Sequence, residues 1–337
     1  MTTIKDIAKL AGVSHTTVSQ VLNNKGRVSE QKRNEILELC KKHNYRPNYS
    51  AKNLQGKKTK VIGVIVNFFG NSFFGEIVTG IENVALKNNY VLLFGDSREN
   101  HDRESMYVDT FIERQVDGII MYPTFSYEFE RSIRKLNAHG IPFVLVDKHS
   151  ANQPANFVAC DDFTGGYMAT SHLIKKGHKK IGFLGGPPCS TIENRYKGFL
   201  KAHEENGMAF KQQMVSNFDI TNKYNLIDGY SPTIKILSEN PRPTALFVTT
   251  DEAIPGVMKA IRKLNMKVPD DLAIVAYGNL PLLCNEDISI TTINYPQVEV
   301  GEKSASMLIN MIENTGKNNE LHSVYIKPDL IKRESCG

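Results

Sequence analysis

The sequence predicts an α/β protein: a small helical head followed by a two-lobed core of doubly wound parallel sheets. Three observations carry this expectation. The first 60 residues hold amphipathic patterns of helical period. From Val61 onward, short apolar runs alternate with amphipathic helical stretches in two successive rounds. Charge divides at the same place, because residues 1–60 carry 13 Lys and Arg against 4 Asp and Glu, a net of +9. The whole chain is +5, so the remainder sums to −4. A basic head on a mildly acidic body suits a polyanionic partner for the head.

In the head, "IKDIAKL" places Ile4, Ile7, Ala8 and Ala11 on one helical face. Gly12 supplies the left-handed turn that ends this helix, and Ser14 is a good N-cap for the next. The second helix buries Val18, Val21 and Leu22 and turns His15, Thr16, Thr17, Ser19 and Gln20 outward. Two short helices joined by a tight glycine turn form a helix-turn-helix, whose second helix fits a DNA major groove. An ordinary helical hairpin with a polar surface has the same local pattern. A third helix starts after Ser29, which can cap it, and carries Ile36, Leu39, Cys40 and His43 at helical spacing as core residues. Pro47 stops it. "NYSAKNLQGKKTK" then reads as a short helix, Tyr49 to Gln55, and a polar linker. The expected divisions are a headpiece at 1–47, a hinge and linker at 48–60, and a core at 61–337.

In the core, the strands are "VIGVIV", "YVLLFG", "GIIMY", "FVLVD", "KIGFLGG", "ALFVTT" and "LAIVAYG". Such continuous apolar runs are buried on both faces, which implies parallel sheet with helical crossovers. The first lobe is expected at about 61–160 plus 291–323, and the second at about 161–290 plus 324–337. Ligands of open parallel sheets sit beyond the carboxyl ends of the strands, which here means the cleft between the lobes.

Several function classes are disfavoured. Cys40, Cys160, Cys189, Cys284 and Cys336 are scattered, odd in number and form no CxxC, so neither a disulfide framework nor a metal site is expected. No cofactor is expected either. No apolar run reaches membrane-span length and no signal segment opens the chain, so a cytoplasmic protein is expected. "GFLGGPP" lacks a dinucleotide or phosphate-loop signature. Asp161 and Asp162 read as a turn or a helix cap, and no nucleophile motif occurs. The chain is therefore not expected to be an enzyme.

The head and body together resemble the lactose-repressor (LacI/GalR) family of bacterial transcription regulators over almost the full length. The resemblance is carried by "TIKDIAKLAGVSHTTVSQVLN", "RVSEQKRNEIL", "NYRPNYSAKNL", "FFGEIVTGIE", "GIPFVLVD", "GHKKIGFLGGP", "RYKGF", "VPDDLAIV" and "TTINYPQVEVG". It implies a periplasmic-binding-protein-like core and a homodimer that binds pseudo-palindromic double-stranded operator DNA. It also implies a small-molecule effector, a sugar or related metabolite, held between the lobes, with repression as the output.

Carried onto matching positions, the resemblance assigns base reading to His15, Thr16 and Gln20. Gln20 stands where many members have Arg; Gln suits adenine, whereas Arg suits guanine. Thr3, Ser14, Thr17, Ser19, Asn23 and Tyr45 match phosphate-holding positions. Leu54 matches a leucine that members wedge into the minor groove, accompanied by Asn48 and Ala51. For the effector, the matching positions are Arg195, Asp147, Phe73 and Asn67. Thr250 replaces a frequent Asn there and Gly278 a usual Asp, while Asp251 is expected to cap the helix that follows it. Control by a phosphocarrier protein, as in some relatives, is the alternative within the family. A solute-binding protein, the alternative from another class, would lack the basic head.

Overall fold

A computed structural model of the chain describes residues 2–22, 25–45, 58–124, 127–209, 214–218, 220–221, 226–279, 288–314 and 320–337. The chain forms two compact units, Met1–Thr59 and Lys60–Gly337. Asn23, Asn48, Ala51 and Leu54, and with them the hinge helix expected at 49–55, lie outside the described residues.

The first unit contains α1 (Ile4–Leu10), α2 (His15–Leu22) and α3 (Glu30–Lys42). Thr3 and Asp6 cap α1 reciprocally, each bonding the other's backbone N–H. Those bonds hold the exposed Asp6 carboxyl below its ordinary range. Gly12 turns the chain at φ +62°. Ser14 Oγ then accepts from the Thr17 amide at 3.1 Å, closing the start of α2. Ser29 stands at the N-cap of α3, but its hydroxyl makes no capping bond. Ile7, Ala8, Ala11, Val18, Val21, Ile36 and Cys40 are buried together as a core belonging to this unit.

The second unit holds two six-stranded sheets. The first is built from β1 (Val61–Val66), β2 (Val91–Asp96), β3 (Gly118–Met121), β4 (Phe143–Val146) and β5 (Phe157–Cys160). Its helices are α4 (Ser72–Lys87), α5 (His101–Glu113) and α6 (Glu130–Ala138). After β5 the chain enters the second lobe through α7 (Asp162–Lys175), β6 (Ile181–Gly185), α8 (Ser190–Glu205) and β7 (Val215–Asn217). A short antiparallel ribbon, β8 (Ile220–Thr221) and β9 (Leu226–Ile227), precedes α9 (Tyr230–Leu237) and β10 (Ala245–Val248). Next come α10 (Ile254–Lys263), β11 (Ala273–Tyr277) and β12 (Thr291–Asn294). The chain ends with α11 (Gln297–Glu313), β13 (Ser323–Ile326) and β14 (Asp329–Ile331).

Sheet order is β13-β5-β4-β3-β1-β2 in the first lobe and β14-β12-β11-β10-β6-β7 in the second. Within the two sheets every pairing is parallel except that of β14 with β12. This corrects the expected lobe boundaries. The strand at 291–294 pairs with β11 and belongs to the second sheet, whereas 323–326 pairs with β5 and completes the first. An isolated apolar strand carries no mark of which sheet edge it will join, so the return crossings fell one segment from where they were expected. The chain crosses between lobes three times: after β5, after β12 and after β13.

Helix packing in the second lobe is unusually close at one point. A Cβ on Gly198 of α8 would lie 2.1 Å from the Phe163 carbonyl of α7, and one on Gly166 would lie 2.1 Å from the Arg195 carbonyl. The two helices therefore touch backbone to backbone. Gly198→Ala is expected to force them apart and destabilise the core by about 1–3 kcal/mol. A shifted denaturant midpoint with an unchanged slope checks this; an unshifted midpoint would show that the helices can separate freely.

Candidate binding cleft and helix-turn-helix face

Parallel strands deliver their carboxyl ends to one side of each sheet, and both sets of ends open onto a shared cleft. Asn67 follows β1, Tyr122 follows β3 and Asp147 follows β4 from the first lobe; Gly186, Thr249, Gly278 and Tyr295 follow β6, β10, β11 and β12 from the second. Together with Phe73, Arg195 and Thr250 they line a cavity of about 500 Å³. All six positions assigned to the effector by resemblance thus lie on this cavity, yet they are not equally available to a ligand.

Asn67 is fully committed. Its Nδ2 donates to the Pro123 carbonyl at 3.0 Å and to Glu99, and its Oδ1 accepts from Ser97 Oγ at 2.8 Å. It holds three loops together at the end of β1. Phe73 forms an apolar wall, its ring edge-on to Phe74, Tyr122 and Tyr295 at 5.3, 6.0 and 4.9 Å.

Asp147 is 2% exposed and held in a left-handed conformation at φ +68°. Its Oδ2 accepts from the Tyr122 hydroxyl at 2.9 Å, while Oδ1 has no partner among the described residues. Burial and the neighbouring Asp147 carboxylate push Tyr122 well above its ordinary range, so it remains a phenol and a donor. The Tyr295 hydroxyl, also buried, is likewise without a partner. Both residues line the cavity, and buried polar atoms are normally hydrogen-bonded.

Arg195 sits on the second lobe's floor. Its Nε donates to Asp162 Oδ1 at 2.7 Å, its Nη1 to the Thr249 carbonyl at 2.6 Å, and its guanidinium lies 3.6 Å from the Tyr277 ring centre. Burial raises the Asp162 carboxyl to about 7, with Arg195 opposing. Against its own desolvation, Arg195 is held well above its ordinary range by Asp162. The reading of the two adjacent aspartates therefore holds for Asp161, which caps α7 through Thr164, and fails for Asp162. The turn between β5 and α7 sends one side chain to the helix end and the other into the floor.

Gly278 has φ +105°, and a Cβ there would fall 2.2 Å from Asp251 Oδ2. The Asp251 carboxylate thus occupies the space a side chain at 278 would fill. Asp251 opens a one-turn 3₁₀ segment capped by Thr250, so the expected N-cap role belongs to Thr250, whose side chain makes no capping bond. Among the described residues, hydrogen bonds that join the lobes include Asn71 Nδ2 donating to Glu252, the His149 amide donating to Ser190 Oγ at 3.2 Å, and Cys160 Sγ with the Tyr277 hydroxyl at 3.3 Å. Tyr122, Tyr277, Tyr295 and Glu252 were given no role from the sequence, and Asp162 was read only as a turn or a cap. A tyrosine at the carboxyl end of an apolar strand ("GIIMY", "IVAYG", "TINYP") was the available signal for three of them.

In the first unit, His15, Thr16 and Gln20 are exposed on α2, with Thr17 and Ser19 half-buried beside them. The Gln20 side chain leans over Gly26, where a Cβ would meet its Oε1 at 2.8 Å. The Thr3 hydroxyl donates to Asp6 Oδ2 at 2.7 Å at the start of α1, and Ser14 Oγ and Thr17 Oγ1 lie 2.9 Å apart at the start of α2. Tyr45 packs half-buried against the headpiece core.

Among the described residues no histidine, cysteine or carboxylate group forms a metal-binding cluster, and no helix is long and apolar enough to cross a membrane. Residues 3–48 match the model for bacterial regulatory proteins of the lacI family, and residues 170–336 match a periplasmic binding protein-like domain. The HTH-type transcriptional repressor PurR of Histophilus somni (strain 2336) is 31% identical over 338 residues, covering 99% of each chain. The HTH-type transcriptional regulator DegA of Bacillus subtilis (strain 168) is 32% identical, covering 100% of this chain and 98% of its own. The Lac repressor bound to ONPG in its repressed state superposes with a TM-score of 0.82 at 25% identity, over 99% of both chains. With head and body matched end to end, the chain belongs to the LacI family of bacterial regulatory proteins and is a DNA-binding transcription regulator.

Proposed function

We propose that this regulator is a homodimeric repressor whose two helix-turn-helix units read a pseudo-palindromic operator, and whose cleft binds a small polar metabolite such as a sugar. The observation that carries the effector reading is the cavity itself, lined by Asp147 and Tyr295, each of which keeps a buried polar atom without a partner among the described residues. A cavity built this way supports a small molecule over a phosphocarrier protein on the outer surface. A ligand touching Phe73 and Asp147 on one lobe and Arg195 on the other bridges the two. Such contacts exist only when the lobes are near, and that unequal affinity for open and closed arrangements is what can shift operator binding.

For the second copy, the face around β2 is the best candidate. β2 is an edge strand, and Leu86, Val91, Leu93 and Phe94 are exposed there, with Phe69 stacked edge-on to Phe94. An apolar edge of this kind requires cover. Val91→Glu is expected to turn the dimer into monomers in sedimentation and to abolish operator protection; an intact dimer would move the interface elsewhere.

On DNA, His15, Thr16 and Gln20 read bases, with Thr3, Ser14, Thr17, Ser19 and Tyr45 holding phosphates. Asn23, Asn48, Ala51 and Leu54 are assigned to the same interface on resemblance. Gln20→Ala is expected to cost about 1–3 kcal/mol at one base pair per half-site and to relax preference there. Equal loss on operator and random duplex in a gel-shift titration would remove Gln20 from base reading. Neutralising about ten phosphates should give a slope of log K against log salt near −9.

The cleft is tested by a thermal-shift screen of sugars, nucleosides and phosphosugars, since a ligand of the native state raises apparent stability. Arg195→Ala alone is a poor probe, because it strands Asp162 in the interior and is expected to lower stability by about 3–5 kcal/mol. The double change Arg195→Met with Asp162→Leu removes both charges and is expected to recover most of that loss. Its operator affinity without effector should match wild type, while effector affinity falls at least tenfold. Wild-type effector response in the double variant would exclude Arg195 from the site.

A further inference from the structure

The charges around the cleft do not balance. Glu99, Asp147, Asp251 and Glu252 line it, against Arg195. Arg195 is matched by Asp162 at 2.7 Å, and Glu99 by Lys148 at 3.5 Å. Setting both pairs aside leaves Asp147, Asp251 and Glu252. Asp147 and Glu252 have neutral hydrogen-bond partners here, the Tyr122 hydroxyl and the Asn71 amide. Asp147 is the more demanding of the two. It is 98% buried, and its Oδ1 is an acceptor with nothing donating to it among the described residues. A carboxylate oxygen cannot relieve this by rotating a proton toward a neighbour; it requires a donor from outside. The left-handed backbone at Asp147 fixes the carboxylate at the end of β4.

An anionic effector meets like charge in this space, and the guanidinium that lines it, Arg195, is already paired with Asp162. A neutral polyol can supply a hydroxyl donor but leaves the charge uncancelled in a low-dielectric site. An ammonium group supplies up to three donors and cancels the charge, and charge-assisted bonds of this kind are about twice as strong as neutral ones. The surrounding aromatic rings, Phe73, Tyr122 and Tyr295, present the electron-rich surface that attracts a cation and the apolar area that packs a ring. The Tyr295 hydroxyl, also unpartnered, offers a further contact for a hydroxyl or amine.

We propose that the effector is a compact polar ring bearing a protonated amine, with its nitrogen seated against Asp147 Oδ1. This rests on the cleft being the effector site and narrows the class of metabolite it takes. Phosphorylated and carboxylated sugars are excluded by it, and unmodified sugars become weak ligands.

The test uses the full-length protein and matched probes titrated calorimetrically: D-glucosamine and D-galactosamine, their parent hexoses, their N-acetyl derivatives and their 6-phosphates. At least one amine is expected to bind ten or more times tighter than its parent and its N-acetyl derivative, with affinity falling as pH rises and the amine loses its proton. Asp147→Asn is expected to erase that preference, so that amine and parent bind equally, while thermal melting shows the fold intact. A phosphate or a parent hexose binding as tightly as its amine overturns the proposal, as does the absence of binding by both amines. A parent hexose whose binding is lost in Phe73→Ala overturns the amine but keeps the cleft as effector site. Amine binding unchanged in both Asp147→Asn and Phe73→Ala removes the cleft itself.

Discussion

Two helices in contact at the level of their backbones set the geometry of the second lobe. Gly166 and Gly198 let α7 and α8 approach until carbonyl oxygens lie where a side chain would start. That approach brings Arg195 of α8 against Asp162 of α7, and the pair then rests on the Tyr277 ring and reaches the end of β10 through Thr249. The floor of the cleft is thus one bonded unit made from two helices and the ends of two strands. A buried ion pair contributes little net stability once desolvation is counted, so its value here is positional. It keeps a guanidinium fixed at the cavity while leaving it unable to serve as a free positive charge.

Most of this architecture was legible in the sequence. The two rounds of apolar strand and amphipathic helix, and the break at "AGVS", are local patterns, and local patterns survive without a partner. The sheet edges were not legible. β12 and β13 are each single strands, and which sheet they join depends on the path of α11 between them. The same reason explains Asp162. Two adjacent aspartates look alike in one dimension, and only the close approach of α8 gives one of them a buried partner. Gly278 was visible as a departure from its relatives, but the carboxylate of Asp251 that takes up the vacant space comes from a different strand end.

The cleft also shows why a residue's place on a cavity differs from its availability to a ligand. Asn67 and Asp147 both end strands of the first lobe and both face the same space. Every polar atom of the Asn67 amide is in use within the protein, while Asp147 retains an unused oxygen. A buried atom without a partner discriminates strongly between ligands that can and cannot reach it, so under the proposed reading Asp147 and not Asn67 sets specificity.

The triple crossing between lobes has a further consequence, for the order in which the molecule is made. The first lobe begins at β1 but lacks its outer strand until residues 323–326 exist, and α11, which packs on α4, arrives just before it. Neither lobe can close its sheet during synthesis until residues 323–331 have left the ribosome. The headpiece, with its own core within residues 7–40, is under no such delay. A nascent chain thus carries a folded DNA-reading unit before either sheet that borders the cleft is finished.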